Sequence, residues 1–211
     1  MSKSKSSDFK RIVIVAYRLP FTLKHRNGNL TAVQNTGGLV SAVLSLTQRM
    51  KSESENETME KTVWVGKGDY DNERLNALPE VKETFELSSV RIPESVNEKF
   101  YGGFCNDLVW PLFHYFPSMA VFGQGYFESY KKANELFYKE LRKIIRPGDF
   151  VWIHDYQLFL LPAMVREEFP EASVAFFLHI PFPSYEVFRI MPDGYQKALL
   201  QGLLGADLIG F

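Results

Sequence analysis

The chain has 211 residues, of which 45% are hydrophobic and 15% aromatic, and this is enough apolar material for one globular domain. Its formal net charge of -1 gives no global positive field, so neither a nucleic acid nor an anionic membrane is expected as the main partner. The lone Cys105 cannot form an intramolecular disulfide, residues 1–7 lack the apolar core of a signal peptide, and no apolar stretch could span a bilayer. These features predict a cytoplasmic protein.

The first part of the chain predicts a strand, a long loop and a helix. Residues 1–9 are polar and predict a flexible tail, whereas the β-branched run 11–16 is typical of a buried strand. Residues 21–36 are polar and rich in turn formers, so they predict a loop, and we expect the loop over 19–36 to close over a ligand. Gly37 and Gly38 then open an amphipathic helix.

The middle of the chain predicts two more strands and a long helix. A charged loop over 51–61 precedes a strand at 62–66, and a further strand is predicted at 85–90. Apolar residues recur every three to four positions from 125 to 145, which indicates an amphipathic helix that ends at the Arg-Pro-Gly-Asp sequence of residues 146–149.

The last sixty residues alternate regularly between strands and helices. The predicted order is strand 150–154, helix 156–169, strand 173–179, helix 193–204 and strand 206–211. Such alternation indicates crossover units on a mostly parallel sheet, hence a Rossmann-like, doubly wound α/β domain over residues 10–211. Because no helix follows the last apolar strand, we expect this domain to be one part of a longer protein.

Polar side chains follow three of the predicted strands. Arg18, His154, Asp155 and His179 all fall at carboxyl ends of strands, where ligands of open α/β sheets collect. A surface ion pair for Arg18 and buried, hydrogen-bonded histidines are the alternatives. A metal site is not expected, because consecutive strand residues such as His154 and Asp155 point to opposite faces unless the strand has already turned.

Two glycine-containing segments could also bind a ligand. Gly37 and Gly38 could bring backbone amides at a helix start close to a phosphate, although a plain turn is the alternative. They do not form the G-x-G-x-x-G pattern of nicotinamide cofactor sites. The aromatic runs 100–104 and 110–116 could form core or could stack on sugar rings. No Gly-x-Ser-x-Gly elbow is present, and Cys105 shows no sign of activation.

Several motifs occur together and in order along the chain. They are Val-Ile-Val-Ala-Tyr-Arg-Leu-Pro (13–20), Thr-Gly-Gly-Leu (36–39), Phe-Tyr-Gly-Gly-Phe-Cys-Asn (100–106) with Trp-Pro-Leu-Phe-His-Tyr (110–115), Trp-Ile-His-Asp-Tyr-Gln-Leu (152–158) and Phe-Leu-His-Ile-Pro-Phe-Pro (177–183). The series resembles the trehalose-6-phosphate synthase family. The resemblance implies the N-terminal domain of a GT-B glycosyltransferase, in which two Rossmann-like domains face each other across a cleft.

The resemblance also implies a reaction and its partners. Glucose would pass from UDP-glucose to glucose 6-phosphate with retention of the α configuration, giving α,α-trehalose 6-phosphate and UDP without a metal or another cofactor. The C-terminal GT-B domain, which would hold most of the donor, is the expected partner, and the isolated chain is expected to be nearly inactive. The sequence leaves open a homo-oligomer and a fused phosphatase domain.

Site residues follow from the matching motifs by position. The resemblance implies that Arg18 grips the acceptor phosphate, that Asp155 and His179 carry catalytic roles, and that His179 contacts the transferring glucose. It places Gly37 and Gly38 at the donor diphosphate. The implied acceptor pocket contains Arg18, Tyr101, Trp110, Asp155 and Trp64.

Three positions depart from the family pattern. Tyr17 and Gly102 stand where the family usually has Asn, and Gln157 stands where it commonly has His. The first two lie in the implied acceptor region, so another acceptor such as glycerol 3-phosphate remains an alternative. A non-catalytic domain that senses sugar phosphates is a second alternative, and a nucleotide-binding oxidoreductase domain, which would need the absent glycine fingerprint, is a third.

Overall fold

The computed structural model describes residues 9–26, 29–35, 38–43, 45, 60–82 and 85–211. In these parts of the chain, six parallel strands form one sheet in the order β5-β4-β1-β6-β7-β8, and two antiparallel strands form a separate hairpin, β2-β3. The strands are β1 Arg11–Arg18, β2 Phe21–Arg26, β3 Asn29–Gln34, β4 Val63–Lys67, β5 Glu86–Val90, β6 Asp149–His154, β7 Ser173–Phe177 and β8 Leu208–Gly210.

Helices cover both faces of the sheet. The helix that follows the glycine pair, α1, is described over residues 38–43. The other α-helices are α2 Asn72–Ala77, α3 Pro79–Lys82, α4 Glu94–Asn97, α5 Trp110–Phe113, α6 Tyr126–Leu141, α7 Leu161–Glu168, α8 Tyr185–Phe188 and α9 Asp193–Leu203. A π-helix spans Glu98–Val109, and short 3-10 helices span Pro117–Met119 and Tyr156–Leu158.

The alternation of side chains along β1 separates two hydrophobic clusters. Val13 and Val15 pack with the π-helix, α6, α7 and α9, whereas Ile12 and Ile14 pack with α1, α2, α3 and the hairpin. All four side chains are at most 2% exposed, which explains why the strand reads as a continuous apolar run. Each contributes about 1.5–3 kcal/mol through burial.

The order of the strands creates a switch point beside β1. The chain continues from β1 toward β4 and β5 on one side, and toward β6, β7 and β8 on the other. In sheets of this kind the crevice between the two diverging halves opens at the carboxyl ends of the strands. The polar residues that follow β1, β6 and β7 therefore surround one crevice, as the sequence predicted.

The amino ends of β1 and β6 are joined by a buried ion pair. Arg11 and Asp149 are register partners, and the guanidinium of Arg11 donates to both carboxylate oxygens, at 2.9 and 2.7 Å. The guanidinium also donates to the carbonyl of Ile144, and the carboxylate accepts from the amide of Arg146. The pKa of Arg11 is raised, mainly by its hydrogen bond to Asp149 and against the effect of burial.

The prediction of a loop over residues 21–36 is wrong for its described part, which forms the β2-β3 hairpin. Thr22 pairs with Val33 and Lys24 with Thr31 in an antiparallel register. The sequence carried the signal, because Asn27-Gly28 lies between the two runs, and Asn-Gly is a strong hairpin indicator. The movement of this segment on ligand binding stays a prediction.

Other differences concern boundaries and one rare helix. The predicted helix at 156–169 is divided, because Pro162 favours a new α-helical start, and α7 begins at Leu161. Strand β7 ends at Phe177, two residues before the predicted end. The π-helix was not predicted, since its aromatic run carries no recognisable helix signal. The predicted tail lies outside the described residues except for Phe9, and so does the predicted loop at 51–61 except for its last two residues.

Candidate functional site

A cavity of about 1230 Å³ lies at the carboxyl ends of β1, β4, β6 and β7. Its lining combines strand ends with the first turns that follow them, because the switch point leaves this part of the sheet uncovered. Five residues expected from the resemblance line it, namely Arg18, Trp64, Tyr101, Asp155 and His179.

A bulge in β1 determines where Arg18 lies. Val15 pairs with Val65 of β4, but the next pair joins Arg18 to Lys67, so β1 contains one extra residue. A bulge of this kind changes the direction in which the following side chain points. The indole nitrogen of Trp64 donates to the carbonyl of Arg18 at 3.0 Å and holds this end of the strand. Arg18 is the exposed end of an otherwise buried strand.

Tyr101 is held against Arg18 by Tyr17. The guanidinium of Arg18 donates to the hydroxyl of Tyr101 at 3.1 Å. The ring of Tyr101 stacks on that of Tyr17, with 4.2 Å between centroids and 7° between planes. The hydroxyl of Tyr17 donates to Oδ1 of Asn97 at 2.8 Å, and burial raises the pKa of Tyr17, so it stays protonated. Tyr17, which stands where the family usually has Asn, thus holds the ring of Tyr101 in place by stacking on it.

The backbone turns sharply at Asp155. Its φ of 74° and ψ of 166° fall in a region that residues other than glycine rarely adopt, at a cost of about 1–3 kcal/mol. The amide of Asp155 donates to the carbonyl of Phe177 at 2.8 Å, and its carboxylate accepts from the amide of His179 at 3.2 Å. This turn ends the strand between His154 and Asp155, so both residues can face the cavity.

Burial changes the electrostatics of Asp155. The pKa of its carboxyl group is raised mainly by desolvation, while hydrogen bonds from Tyr156, His179 and Gln157 oppose the rise. A carboxylate with a raised pKa is a stronger proton acceptor, which favours hydrogen bonding to hydroxyl groups of a ligand.

His154 and His179 form a pair at the ends of β6 and β7. Nδ1 of His154 and Nε2 of His179 are 3.1 Å apart and share a hydrogen bond. His154 is 1% exposed, and its pKa is lowered to about 3 by burial and by the neighbouring His179. Its imidazole is therefore neutral near pH 7, and its buried Nε2 has no hydrogen-bond partner among the described residues.

Comparison with known proteins identifies the family. The sequence pattern of glycosyltransferase family 20 matches residues 10–211. The chain belongs to glycosyltransferase family 20, whose members include the trehalose-6-phosphate synthases. The bifunctional trehalose-6-phosphate synthase/phosphatase of Thermoproteus tenax is 40% identical over 202 residues, which are 95% of this chain and 27% of that protein.

Further relatives support the same assignment. An α,α-trehalose-phosphate synthase (UDP-forming) of Aspergillus niger is 38% identical over 206 residues, 95% of this chain and 38% of that enzyme. The apo structure of OtsA superposes with a TM-score of 0.72 at 26% identity, over 95% of this chain and 40% of OtsA. The N-terminal domain of the trehalose-6-phosphate phosphatase of Candida albicans superposes with a TM-score of 0.70 at 30% identity, over 100% and 42%.

These comparisons confirm the predicted fold. The six-stranded parallel sheet corresponds to the N-terminal domain of GT-B structures of the OtsA type. The chain spans less than half of each of these family 20 relatives.

Two tryptophans that the resemblance implies for the acceptor pocket differ in their exposure and position. Trp64 is 1% exposed and packs edge-on against Phe85, so its ring has no free face. Trp110 is 41% exposed, stacks on His114 at 4.1 Å and does not line the cavity. The acceptor roles of Trp64 and Trp110 both stay predictions, and the contact that the structure shows for the Trp64 indole nitrogen is its hydrogen bond to the carbonyl of Arg18.

The glycine pair is only partly described. Gly37 lies outside the described residues. Gly38 begins α1, is exposed, and would have nothing within 4 Å of an added Cβ atom. Its neighbours Leu39 and Val40 line the cavity, so the start of α1 lies beside it. A donor diphosphate at this helix start stays a prediction.

Sequence reasoning missed two features of β4. Lys67 lines the cavity beside Arg18, and Gly66 lets the two strands approach closely. The predicted strand ended at residue 66, one residue before Lys67, although the rule used for the other strand ends applies equally here.

No helix in the described parts of the chain is long and apolar enough to cross a membrane. Within the same residues, no cluster of three or more His, Cys, Asp or Glu side chains could hold a metal ion.

Proposed function

We propose that this chain is the acceptor-side domain of a retaining glycosyltransferase that moves glucose from UDP-glucose to glucose 6-phosphate. The products would be α,α-trehalose 6-phosphate and UDP. The observation that carries the proposal is the position of Arg18, which lies at the switch point with Tyr101 on one side of a cavity that also contains Asp155. The names of the family 20 relatives support the same reaction.

Arg18 has the chemistry for the acceptor phosphate. A guanidinium presents a planar fork of donors that can hold two phosphate oxygens at once. Its hydrogen bond to Tyr101 and the stack of Tyr101 on Tyr17 limit the rotamers that Arg18 must give up on binding. The phosphate would therefore meet a cation that is already oriented.

Asp155 has the chemistry for the sugar hydroxyls. Its carboxylate is partly buried, is oriented by the amide of His179, and is a strong acceptor because its pKa is raised. We infer that it accepts from acceptor hydroxyls and places the attacking oxygen. The strain at its backbone is consistent with a position that is maintained for function.

His179 lies on the donor side of the same cavity. His154 is neutral near pH 7, so it orients His179 through a hydrogen bond and brings no positive charge of its own to the cavity. We infer that His179 contacts the transferring glucose, and that the start of α1 at Gly38 faces the diphosphate, whose negative charge a helix start favours.

We assign no nucleophile to the protein. Retention would then follow from attack on the same face as departure, with a phosphate oxygen of the leaving UDP taking the proton of the acceptor hydroxyl. The sugar carbon exchanges its bond to the UDP oxygen for a bond to the acceptor oxygen, and the proton leaves with UDP. The absence of any metal or cofactor in this reaction also stays a prediction.

The experiment is a calorimetric titration of this chain with glucose 6-phosphate. We expect saturable binding that Arg18→Ala weakens about 10- to 100-fold, since hydrogen bonds to charged groups contribute about 1.5–3 kcal/mol. Arg142→Ala is the matched control, because Arg142 pairs with Glu168 outside the cavity. Unphosphorylated glucose should bind equally weakly to both variants.

A second acceptor is distinguished in the same experiment. Titration with glycerol 3-phosphate tests whether Tyr17 and Gly102 have changed the acceptor. The space beside Gly102 is open in the structure, because a Cβ atom added there would have no atom within 4 Å. Tighter binding of glycerol 3-phosphate than of glucose 6-phosphate would contradict the proposed acceptor and leave the family assignment unchanged.

A second candidate function is a domain that binds sugar phosphate without catalysis. It is favoured by the Candida albicans relative, which is the N-terminal domain of a trehalose-6-phosphate phosphatase and shares this fold. The two functions differ in whether glucose is transferred once a GT-B C-terminal domain is present. Release of UDP from UDP-glucose, dependent on glucose 6-phosphate and on Arg18, would support the enzyme.

A further inference from the structure

Strand β4 ends beside Arg18 in a second basic residue, Lys67. The two residues are register partners on adjacent parallel strands. Both line the cavity, as do Tyr101 and Asp155. The neighbouring strands therefore place two basic residues side by side at the wall of the cavity.

The charge of Lys67 is only weakly compensated. The ion pair that the structure gives it is with Glu94, at the long distance of 4.0 Å, and the carboxylate side chain is 72% exposed. The side chain of Lys67 itself is 31% exposed. Arg91, on the rim of the same cavity, differs because it contacts Asp69 directly. An exposed pair at the distance limit contributes little, so Lys67 can exchange it for a ligand at little cost.

The approach of the two strands depends on Gly66. A Cβ atom at this position would lie 2.7 Å from the amide nitrogen of Leu19 and 2.8 Å from the carbonyl carbon of Arg18. Backbone atoms cannot move aside as the end of a flexible side chain can. Glycine at 66, the bulge in β1 and the indole of Trp64 thus hold the backbone of Arg18 against that of β4.

We propose that Lys67 is a second cation for the anionic group of the acceptor, which Arg18 and Lys67 would hold between them. The inference rests on the proposed function, because it assigns the acceptor phosphate to this part of the cavity. A phosphate ester carries a charge close to -2 above pH 7, since its second pKa is about 6. Two cations therefore favour a phosphate ester over a monoanionic sulfate ester or a neutral sugar, and Lys67 is a determinant of specificity.

The test compares three ligands on four proteins at pH 7.5. Glucose 6-phosphate, glucose 6-sulfate and inorganic phosphate are titrated into the wild type, Lys67→Gln, Lys67→Arg and the control Lys132→Gln. Lys132 pairs with Glu135 on the surface of α6. We expect Lys67→Gln to weaken glucose 6-phosphate about tenfold, from the contribution of one hydrogen bond to a charged group. We expect Lys67→Arg to restore most of the affinity and Lys132→Gln to match the wild type.

The sulfate ester separates an electrostatic role from a structural one. If Lys67 recognises the second negative charge, Lys67→Gln reduces the preference for phosphate over sulfate. If Lys67 only supports the cavity wall, both ligands weaken equally and the preference is unchanged, which would overturn the proposal. Wild-type affinity of Lys67→Gln for glucose 6-phosphate would overturn it as well.

The same titrations, with Arg18→Ala added as a fifth protein, distinguish a failure of this inference from a failure of the proposed function. Loss of glucose 6-phosphate binding in Arg18→Ala, with unchanged binding in Lys67→Gln, contradicts the role of Lys67 and leaves the proposed function standing. Binding of inorganic phosphate that depends on both residues, without tighter binding of glucose 6-phosphate, supports the cation pair and contradicts the proposed acceptor. Failure of the wild type to bind either phosphate contradicts both.

Discussion

Strands β1 and β6 lie side by side, and their two ends differ in almost every physical respect. At the amino end, Arg11 and Asp149 form a bidentate ion pair whose side chains are both 3% exposed, and further backbone groups complete its hydrogen bonds. At the carboxyl end, Arg18 is exposed, the backbone of Asp155 is strained, and the buried Nε2 of His154 has no hydrogen-bond partner in the described parts of the chain.

One pair of strands thus contributes to stability at one end and to ligand binding at the other. Charges at the amino end are paired within the protein, so they contribute to holding β1 beside β6. Charges at the carboxyl end are oriented but incompletely paired, so a ligand can supply the missing partners. Changes at the amino end should therefore alter stability alone, whereas changes at the carboxyl end should alter ligand binding, in some cases together with stability.

The largest expected effect is on stability at the amino end. Arg11→Ala leaves the carboxylate of Asp149 buried without its partner, and we expect the free energy of unfolding to fall by about 3–5 kcal/mol. Chemical denaturation measures the change. The double variant Arg11→Met with Asp149→Leu is the control, because removing both charges should recover much of the loss. Equal destabilisation of the single and double variants would contradict the assigned role of the pair.

The next effect is a dependence of stability on pH that comes from His154. Its pKa of about 3 in the folded protein lies below the ordinary value of 6.5. As the pH falls below 6.5, His154 is protonated in the unfolded chain but stays neutral in the folded protein. The free energy of unfolding therefore decreases until the pH nears 3. Between pH 6.5 and 4.5 this amounts to about 2–3 kcal/mol.

The variant His154→Gln isolates this contribution, because glutamine does not titrate. Denaturation curves at pH 6.5 and 4.5 should show a smaller loss of stability in the variant than in the wild type. The comparison of slopes is needed because Asp155 and His179 lie close to His154. Identical slopes for the two proteins would show that the neutral, buried state of His154 is assigned wrongly.

A smaller effect is expected from the backbone of Asp155. Glycine adopts a positive φ at no steric cost, so Asp155→Gly should be more stable than Asp155→Ala by about 1–3 kcal/mol. Both variants lack the carboxylate, and both should therefore lose affinity for glucose 6-phosphate. Thermal unfolding gives the stability difference, and equal stability of the two variants would argue against strain at this residue.

Much of this comparison could be predicted from the sequence. The regular alternation after residue 149 predicted the parallel sheet, and the strand-end rule brought Arg18, Asp155 and His179 to one cavity. These features depend on local patterns of apolar residues and on general rules of α/β topology, which a single sequence carries.

The remaining features depend on contacts between distant segments. The turn at Asp155 has no local signal, because its conformation depends on hydrogen bonds with Phe177, the last residue of β7, and with His179 in the segment that follows this strand. The bulge that pairs Arg18 with Lys67 likewise depends on the fit of Gly66 against another strand. The π-helix alters which residues share a face, since its hydrogen bonds join residues five apart, and this helix leads into Trp110, which lies outside the cavity.

A crystal structure of this chain with bound glucose 6-phosphate would show which end of the two strands binds the ligand. We expect the phosphate in contact with Arg18 and Lys67, the sugar hydroxyls in contact with Asp155, and an unchanged ion pair between Arg11 and Asp149. A ligand bound elsewhere on the chain, or a phosphate in the cavity without contact to Arg18, would contradict the assignment of binding to the carboxyl ends of β1 and β6.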